Sequence, residues 1–244
     1  MYYQKLSTTV CISLLITLLL TGGCAGSGGA LETYNRGMYK INKSVDKYTL
    51  KPIAKGYRYI TPDPVEKGVS NFFANLSEVN TFANSLLQGK FHNATVSSSR
   101  LVWNTTLGVG GIFDVATAMN IRANQEDFGQ TLQTWGFPSG PYVVLPILGP
   151  STVTDSVGLV GDSFISPFNR YHWHDHDVRD GVVSLGIVDK RARVLNAEKM
   201  LDTAAVDEYS FVKNTYLQHR NLLVSDGKAQ NKVLEEDLDN LFGE

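Results

Sequence analysis

Apolar side chains recur with a helical period along most of the chain. Met38, Ile41, Val45 and Tyr48 stand at i, i+3, i+7 and i+10, which predicts a helix over 32–49 with one apolar face. Arg36, Lys40, Lys43 and Lys47 line the opposite side, and Lys51, Lys55 and Arg58 continue the basic run beyond Pro52. Thr61–Pro64 reads as a turn whose second proline opens the next helix. The clearest periodicity lies over 65–88. Val69, Phe72, Phe73, Leu76, Val79, Phe82, Ala83, Leu86 and Leu87 keep helical spacing, and Gly89 ends the run. The other face of that helix is Asn, Ser and Thr with Glu78. A second helix is predicted over 92–104, and a short apolar one over 112–119 after Gly108, Gly110 and Gly111.

From residue 127 the period is lost. Gly129, Gly136, Gly140 and Gly149 alternate with Pro138, Pro141, Pro146 and Pro150 up to residue 150, so turns are predicted, with a short extended piece at Tyr142–Leu145. Such a segment is costly unless it has a task. A glycine-interrupted helix over 151–166 follows, then helices over 177–195 and 197–220. The residues 225–244 read as an acidic flexible tail.

The N-terminus has its own pattern. Lys5 precedes an apolar run from Val10 to Leu20, too short to span a bilayer and the right length for an export signal over 1–23. Gly22 and Gly23 then precede Cys24, as in a bacterial lipobox whose cysteine is lipidated and becomes the mature N-terminus, although Thr21 stands where such boxes prefer Leu or Val; the alternative is ordinary secretory cleavage nearby with Cys24 a spare thiol. The only other cysteine is Cys11, inside the signal, so the mature chain is expected to hold no disulfide and no thiolate zinc site. Ala25, where retained inner-membrane lipoproteins carry Asp, directs the expectation to the outer membrane. Residues 24–30 read as a flexible tether before a domain over 31–224.

Charge changes this picture more than composition does. The net charge of −2 argues against a nucleic-acid binder. Residues 24–67 carry 8 basic and 4 acidic side chains, residues 68–170 only 4 and 6, and residues 171–244 carry 9 and 14. So long a charge-poor block either forms a well-covered core or meets something apolar. No stretch after the signal reaches 18 apolar residues, so an interfacial arrangement in one leaflet fits better than a transmembrane helix. The basic helix beside a lipid anchor reads as attraction to anionic head groups, or else as a solvated face.

Catalytic signatures are sparse. GxSxG, HExxH, P-loop and CxxC motifs are absent, and the glycines at 108–111 lack the third glycine and the preceding strand of a dinucleotide site. His172, His174, Asp175, His176 and Asp177 could gather imidazoles on one face of an extended strand, or simply form a polar loop. Asp114, Asp127, Asp155 and Asp162 fit helix caps better than acid–base pairs. No catalytic residue, metal or cofactor is assigned.

The ordered runs Leu31–Asn42, Lys51–Arg58, Gly68–Leu76, Asn84–Lys90, Asn104–Ala116, Asp127–Gly136, Gly140–Ser151 and Asp207–Arg220 strongly resemble the MlaA (VacJ) lipoprotein family, over roughly residues 31–228. The resemblance departs at Gly29 and Ala30, where the family has Asp-Pro, at Thr33, where it has Gly, and at Val79, where it has Pro. It implies a mainly α fold: a ring-like bundle of broken amphipathic helices seated in one membrane leaflet, with one Gly/Pro-rich hairpin. It implies removal of mislocalised phospholipid from the outer leaflet through an amphipathic channel. The partners it implies are a trimeric porin of the OmpC/OmpF kind and the periplasmic carrier MlaC, and the family is not known to be enzymatic. On this reading Gly129, Gly136, Gly140 and Pro141 are candidates for a gate, and Arg36, Lys40, Lys43 and Lys47 for contact with the leaflet. A membrane-associated lipid hydrolase and a passive porin-scaffolding lipoprotein are the alternatives.

Overall fold

The computed structural model describes residues 27–169, 175–198 and 207–226. Cys24, the histidines at 172 and 174 and most of the acidic tail lie outside the described residues. Helix α1 runs from Ser27 to Tyr48, so it takes in residues 27–30, which the sequence assigns to a tether. The Thr33 hydroxyl donates to the Gly29 carbonyl at 2.7 Å and closes that first turn. Helix α2 (Leu50–Ile60) tolerates Pro52 because the proline stands in its first turn, where no backbone donor is needed. Helix α3 (Asp63–Leu87) starts on Pro62 and Pro64, with Asp63 and Glu66 against the positive end of its dipole. Gly89, at φ 72°, turns the chain into α4 (Phe91–Thr106).

Three short or medium helices follow, each started by the side chain before it. Asp114 accepts from the Thr117 N–H to cap α5 (Val115–Ala118), and Asp127 accepts from the Gln130 N–H to cap α6 (Phe128–Thr134). Strands β1 (Tyr142–Leu145) and β2 (Gly149–Thr152) form an antiparallel hairpin with Tyr142 opposite Thr152 and Leu145 opposite Gly149. Thr152 then caps α7 (Val153–Ile165). Asp175 caps α8 (His176–Arg193) and Asp207 caps α9 (Glu208–Val224).

The helices close a circuit. α3 packs on α4, α6, α7 and α8; α8 packs on α2; α1 joins α2 to β1; and α9 lies on α6 and β2. α1 and α9 are also clasped by charge. Glu32 receives Arg36 at 3.1 Å and Lys213 at 2.9 Å, Arg36 reaches Asp207 at 3.0 Å, and the Tyr39 hydroxyl donates to Glu208 at 2.7 Å. The expected mainly α, ring-like fold is what is found, and among the described residues no helix is long and apolar enough to cross a membrane.

The direction in which the helices face differs from soluble bundles. The buried residues of α3 are Gly68, Asn75, Glu78, Thr81, Asn84 and Ser85, which is the polar face, and none of its nine periodic apolar residues is buried. In α4 they are Ala94, Ser97, Arg100 and Asn104. Large apolar side chains point out instead: Phe91, Leu107, Val109, Phe113, Ile147, Leu148 and Phe164 are all at least 57% exposed. On α1 the same inversion holds, with Asn35 buried and Ile41, Val45 and Tyr48 exposed. Asn75, Glu78, Asn84, Arg100 and Asn104 go inward because each finds a hydrogen-bonding partner there. The outward apolar surface is of the kind that meets a partner or a membrane.

Asn35 shows how the interior is held. Its side-chain amide donates to the Tyr142 carbonyl at 3.0 Å and its oxygen accepts from the Val144 N–H at 2.8 Å. Two turns later Asn42 repeats the arrangement with the Leu145 carbonyl and the Ile147 N–H, both at 2.8 Å. The two amides act as a ladder that fastens β1 to α1.

Candidate functional site

A cavity of about 980 Å³ opens between α3, α7 and α8. Phe73, Ala74, Ser77, Glu78 and Thr81 come from α3, Ser163 and Phe164 from α7, and Arg179, Val183, Gly186, Ile187, Lys190 and Arg193 from α8. Arg100, the 123–125 segment, Ser166, Phe168, Asn169 and His219 complete the wall. Along α8 these positions recur every three or four residues, so one face of the helix lines the space. Gly186 is needed there, because a Cβ would stand 2.8 Å from the Phe73 ring. The lining is mixed: aromatic and aliphatic side chains in the middle, amides and hydroxyls between them, cations towards both ends of α8. Such a surface can accept a molecule with an apolar body and a polar end.

Two buried arginines hold the walls. Arg100 on α4 donates to Glu78 on α3 at 2.5 Å, to the Thr117 hydroxyl at 3.0 Å and to the Ile121 carbonyl at 2.5 Å, and faces Asp114 at 3.3 Å. Burial pushes the Glu78 carboxyl above its ordinary 4.5 in spite of that arginine. Arg220 on α9 grips Asp127 with two bonds of 2.5 and 2.7 Å and Asp155 at 2.6 Å, and the Tyr216 hydroxyl donates to Asp155 at 2.8 Å. One side chain thus ties α9 to the first turns of both α6 and α7. Asp162 is a half-buried carboxylate beside them. It accepts from the Phe128 N–H and from Asn84 at 2.8 Å, and burial raises it above 3.8. Asp114, Asp127 and Asp155 therefore act in caps and ion pairs, as their sequence context implies.

For Asp127 burial works upward, but the ion pair with Arg220 outweighs it and the net shift is downward from 3.8. Its contribution to stability is therefore present above pH 3.8 and is lost as pH falls through the lowered folded value. Glu78 and Asp162 have the opposite sign, because raised carboxyls cost stability above their ordinary values and acid relieves that cost. The expected result is that Asp127→Asn has a lower melting temperature at neutral pH but a flatter decline below pH 3.8 than the parent chain. Thermal melts followed by circular dichroism from pH 7 downward check it. A variant that loses stability on acidification as steeply as the parent would remove Asp127 as the source.

The residues singled out in the sequence fall in different places. Gly136 and Gly140 have φ of 96° and 71° and lie in the turn segment before β1, with Pro141 next to it. Gly129 does not share that segment. It stands buried in α6, where a Cβ would meet Asp155 Oδ1 at 2.5 Å and Arg220 at 2.7 Å, so it serves close packing and not a hinge. None of the four borders the cavity. Of the basic stripe on α1, Arg36 is engaged by Glu32 and Asp207 and Lys43 by Glu208, which places two of the four cations in contacts within the protein. Lys40 is exposed and Lys47 lies over the Tyr48 ring at 5.6 Å. In the histidine-rich stretch, Asp175 is the cap of α8 and His176 its exposed first residue. The cavity wall from α8 was missed because its cations lie in a charge-rich stretch that reads as solvated. The signal that could have found it is the recurrence of Val183, Gly186 and Ile187 between Arg179 and Lys190 on one face.

A family model described as "MlaA lipoprotein" matches residues 29–223. The chain is 34% identical over 230 residues to a protein of Escherichia coli (strain K12) named "Intermembrane phospholipid transport system lipoprotein MlaA", covering 90% of this chain and 89% of that one. It is 35% identical over 235 residues to a Haemophilus influenzae protein of the same name, covering 90% and 92%. A solved structure described as "Structural basis for maintenance of bacterial outer membrane lipid asymmetry" superposes with a TM-score of 0.67 at 31% identity, covering 80% of this chain and 98% of the other.

Proposed function

Because the chain belongs to the MlaA lipoprotein family, we propose that it moves phospholipid out of the outer leaflet of the outer membrane through the α3–α7–α8 cavity and hands it to a periplasmic carrier such as MlaC. The observation that carries this reading is the inversion of the fold around that cavity. A phospholipid needs a polar path for its head beside apolar surface for its tails, and a seat that keeps the path at the level of the bilayer. Ser77, Thr81, Asn124 and Ser163 on the cavity wall supply the first, beside Glu78 and Arg100, which hold each other. The exposed apolar side chains of α1, α7 and the 107–113 turn supply the seat. Lys40 and Lys47 remain the candidates on α1 for contact with anionic head groups. Gly136, Gly140 and Pro141 remain candidates for a hinge, acting at a distance from the cavity wall. A trimeric porin is a proposed neighbour, since exposed apolar surface of this extent suits a membrane-protein partner as well as lipid.

The test is outer-leaflet phospholipid in a strain lacking its own family member and complemented with this gene. Complementation should lower surface phospholipid to the level of an intact strain, with the lipid recovered whole. Recovery as lysophospholipid and fatty acid would favour a hydrolase, and a chain that binds porin without changing surface phospholipid would favour a scaffold. In the same strain Cys24→Ser is expected to lose the lipid label and leave the outer-membrane fraction. Full retention and full activity of that variant would show that the apolar surface suffices and that the anchor does not seat the protein.

A further inference from the structure

We infer that the cavity selects phospholipids with an anionic head group and that Lys190 is the residue that receives the phosphate; this rests on the transport reading above. Among the described lining residues the acids and bases are unequal. The one carboxylate is Glu78, and Arg100 already holds it at 2.5 Å. The remaining lining cations are Arg179, Lys190 and Arg193. Arg179 is spent on the Phe168 carbonyl at 2.8 Å and on Asp180, and Arg193 leans on Asp189 at 3.3 Å. Lys190 has no carboxylate within ion-pair distance among the described residues. Its neighbour Arg191 makes the contrast plain, since Asp46 and Glu198 hold that side chain at 2.7 and 2.6 Å.

Position along the helix adds the second part. Lys190 stands three residues beyond Ile187 and four beyond Gly186, on the face that meets Phe73. At about 1.5 Å per residue the ammonium group lies within one turn of this apolar stretch. A phosphate at Lys190 would leave the acyl chains on Phe73, Ile187 and Val183. A zwitterionic head group brings its own ammonium to a site whose only acid is occupied, so it gains the phosphate contact and loses part of it to repulsion. A glycerol head group has a single negative charge and hydroxyls, and meets no such opposition. One partly solvated ion pair corresponds to a preference of up to about fivefold.

The full lipidated chain, purified in mild detergent from an outer membrane containing both lipids, tests this. Bound phosphatidylglycerol and phosphatidylethanolamine are measured by mass spectrometry against their ratio in the same membrane. The expected result is an enrichment of phosphatidylglycerol of about fivefold, reduced to the membrane ratio in Lys190→Gln and kept in Lys190→Arg. Bound lipid at the membrane ratio in the parent chain overturns the selectivity and leaves transport standing. Equal enrichment in the parent and in Lys190→Gln overturns the role of Lys190. Absence of any bound phospholipid in the parent chain would overturn the transport reading itself, and this inference with it.

Discussion

Arg100→Met is expected to destabilise the protein by about 3–5 kcal/mol, the usual cost of removing one partner from a buried ion pair. Arg100 is 4% exposed and Glu78 5% exposed, so neither charge has water to fall back on. Deleting the guanidinium leaves the Glu78 carboxyl without its 2.5 Å donor and the Ile121 carbonyl without its own. It also weakens the hold of α4 on the Asp114 cap of α5, which Asn104 keeps at 3.1 Å. Loss of the arginine moves the Glu78 carboxyl further upward, since burial already raises it while the arginine is present. The double variant Arg100→Met with Glu78→Leu should recover much of the loss, because an apolar pair of similar volume carries no desolvation cost. Chemical denaturation of the parent, the two single variants and the double variant measures the coupling. A single variant within about 1 kcal/mol of the parent would mean that the pair is better solvated than its position implies.

The second large effect comes from one carbon atom. Gly158 lies in α7, where alanine would by helix propensity alone stabilise the chain by about 1 kcal/mol. Its Cβ, however, would stand 2.4 Å from the backbone nitrogen of Gly129 and 2.7 Å from its Cα. Backbone cannot swing aside as a side chain does, so α6 and α7 must part, and the Arg220 clasp across them must lengthen. Overpacking of this kind costs about 1–3 kcal/mol, which outweighs the propensity, so Gly158→Ala is expected to destabilise. Gly181→Ala in α8 is the control, with nothing within 4 Å of the added carbon. That variant should melt at or slightly above the parent. If both substitutions stabilise, the closeness of Gly129 and Gly158 does not constrain the helices.

The contrast between those two glycines shows what periodicity in a sequence conveys. The helices over 65–88, 92–104, 151–166 and 177–195 were legible from their spacing to within two residues at most of their ends, and the extended piece at Tyr142–Leu145 matches β1. Their facing was not legible. A helical stripe of Val69, Phe72 and Leu76 is the same pattern whether it turns to a core or to lipid. What decided it was the opposite stripe: Asn75 and Glu78 bond to α4, and Asn84 to α6 and α7, from within. Ten charges spread over residues 68–170 were a usable hint, since charges that sparse are affordable only in pairs, and Arg100 with Glu78 is such a pair. Gly129 was misplaced for a related reason. Its neighbours Gly136 and Gly140 do adopt left-handed backbone, and nothing in the local sequence separates a glycine that bends the chain from one that lets another helix approach.

The clasp between α1 and α9 has a consequence for the order in which the protein can be made. Glu32, Arg36 and Tyr39 bond to Lys213, Asp207 and Glu208, partners that lie between 169 and 181 residues further along the chain. At a synthesis rate of roughly 5–20 residues per second, the first helix waits roughly 10–30 seconds before its closing partner exists. During that interval Tyr39 lacks the Tyr209 side chain that packs against it and the ring of helices is open. Closure is therefore a late, long-range event, of the kind that folds slowly and exposes the chain to aggregation. A truncation that removes α9 takes away these partners and leaves the chain permanently at that unfinished stage.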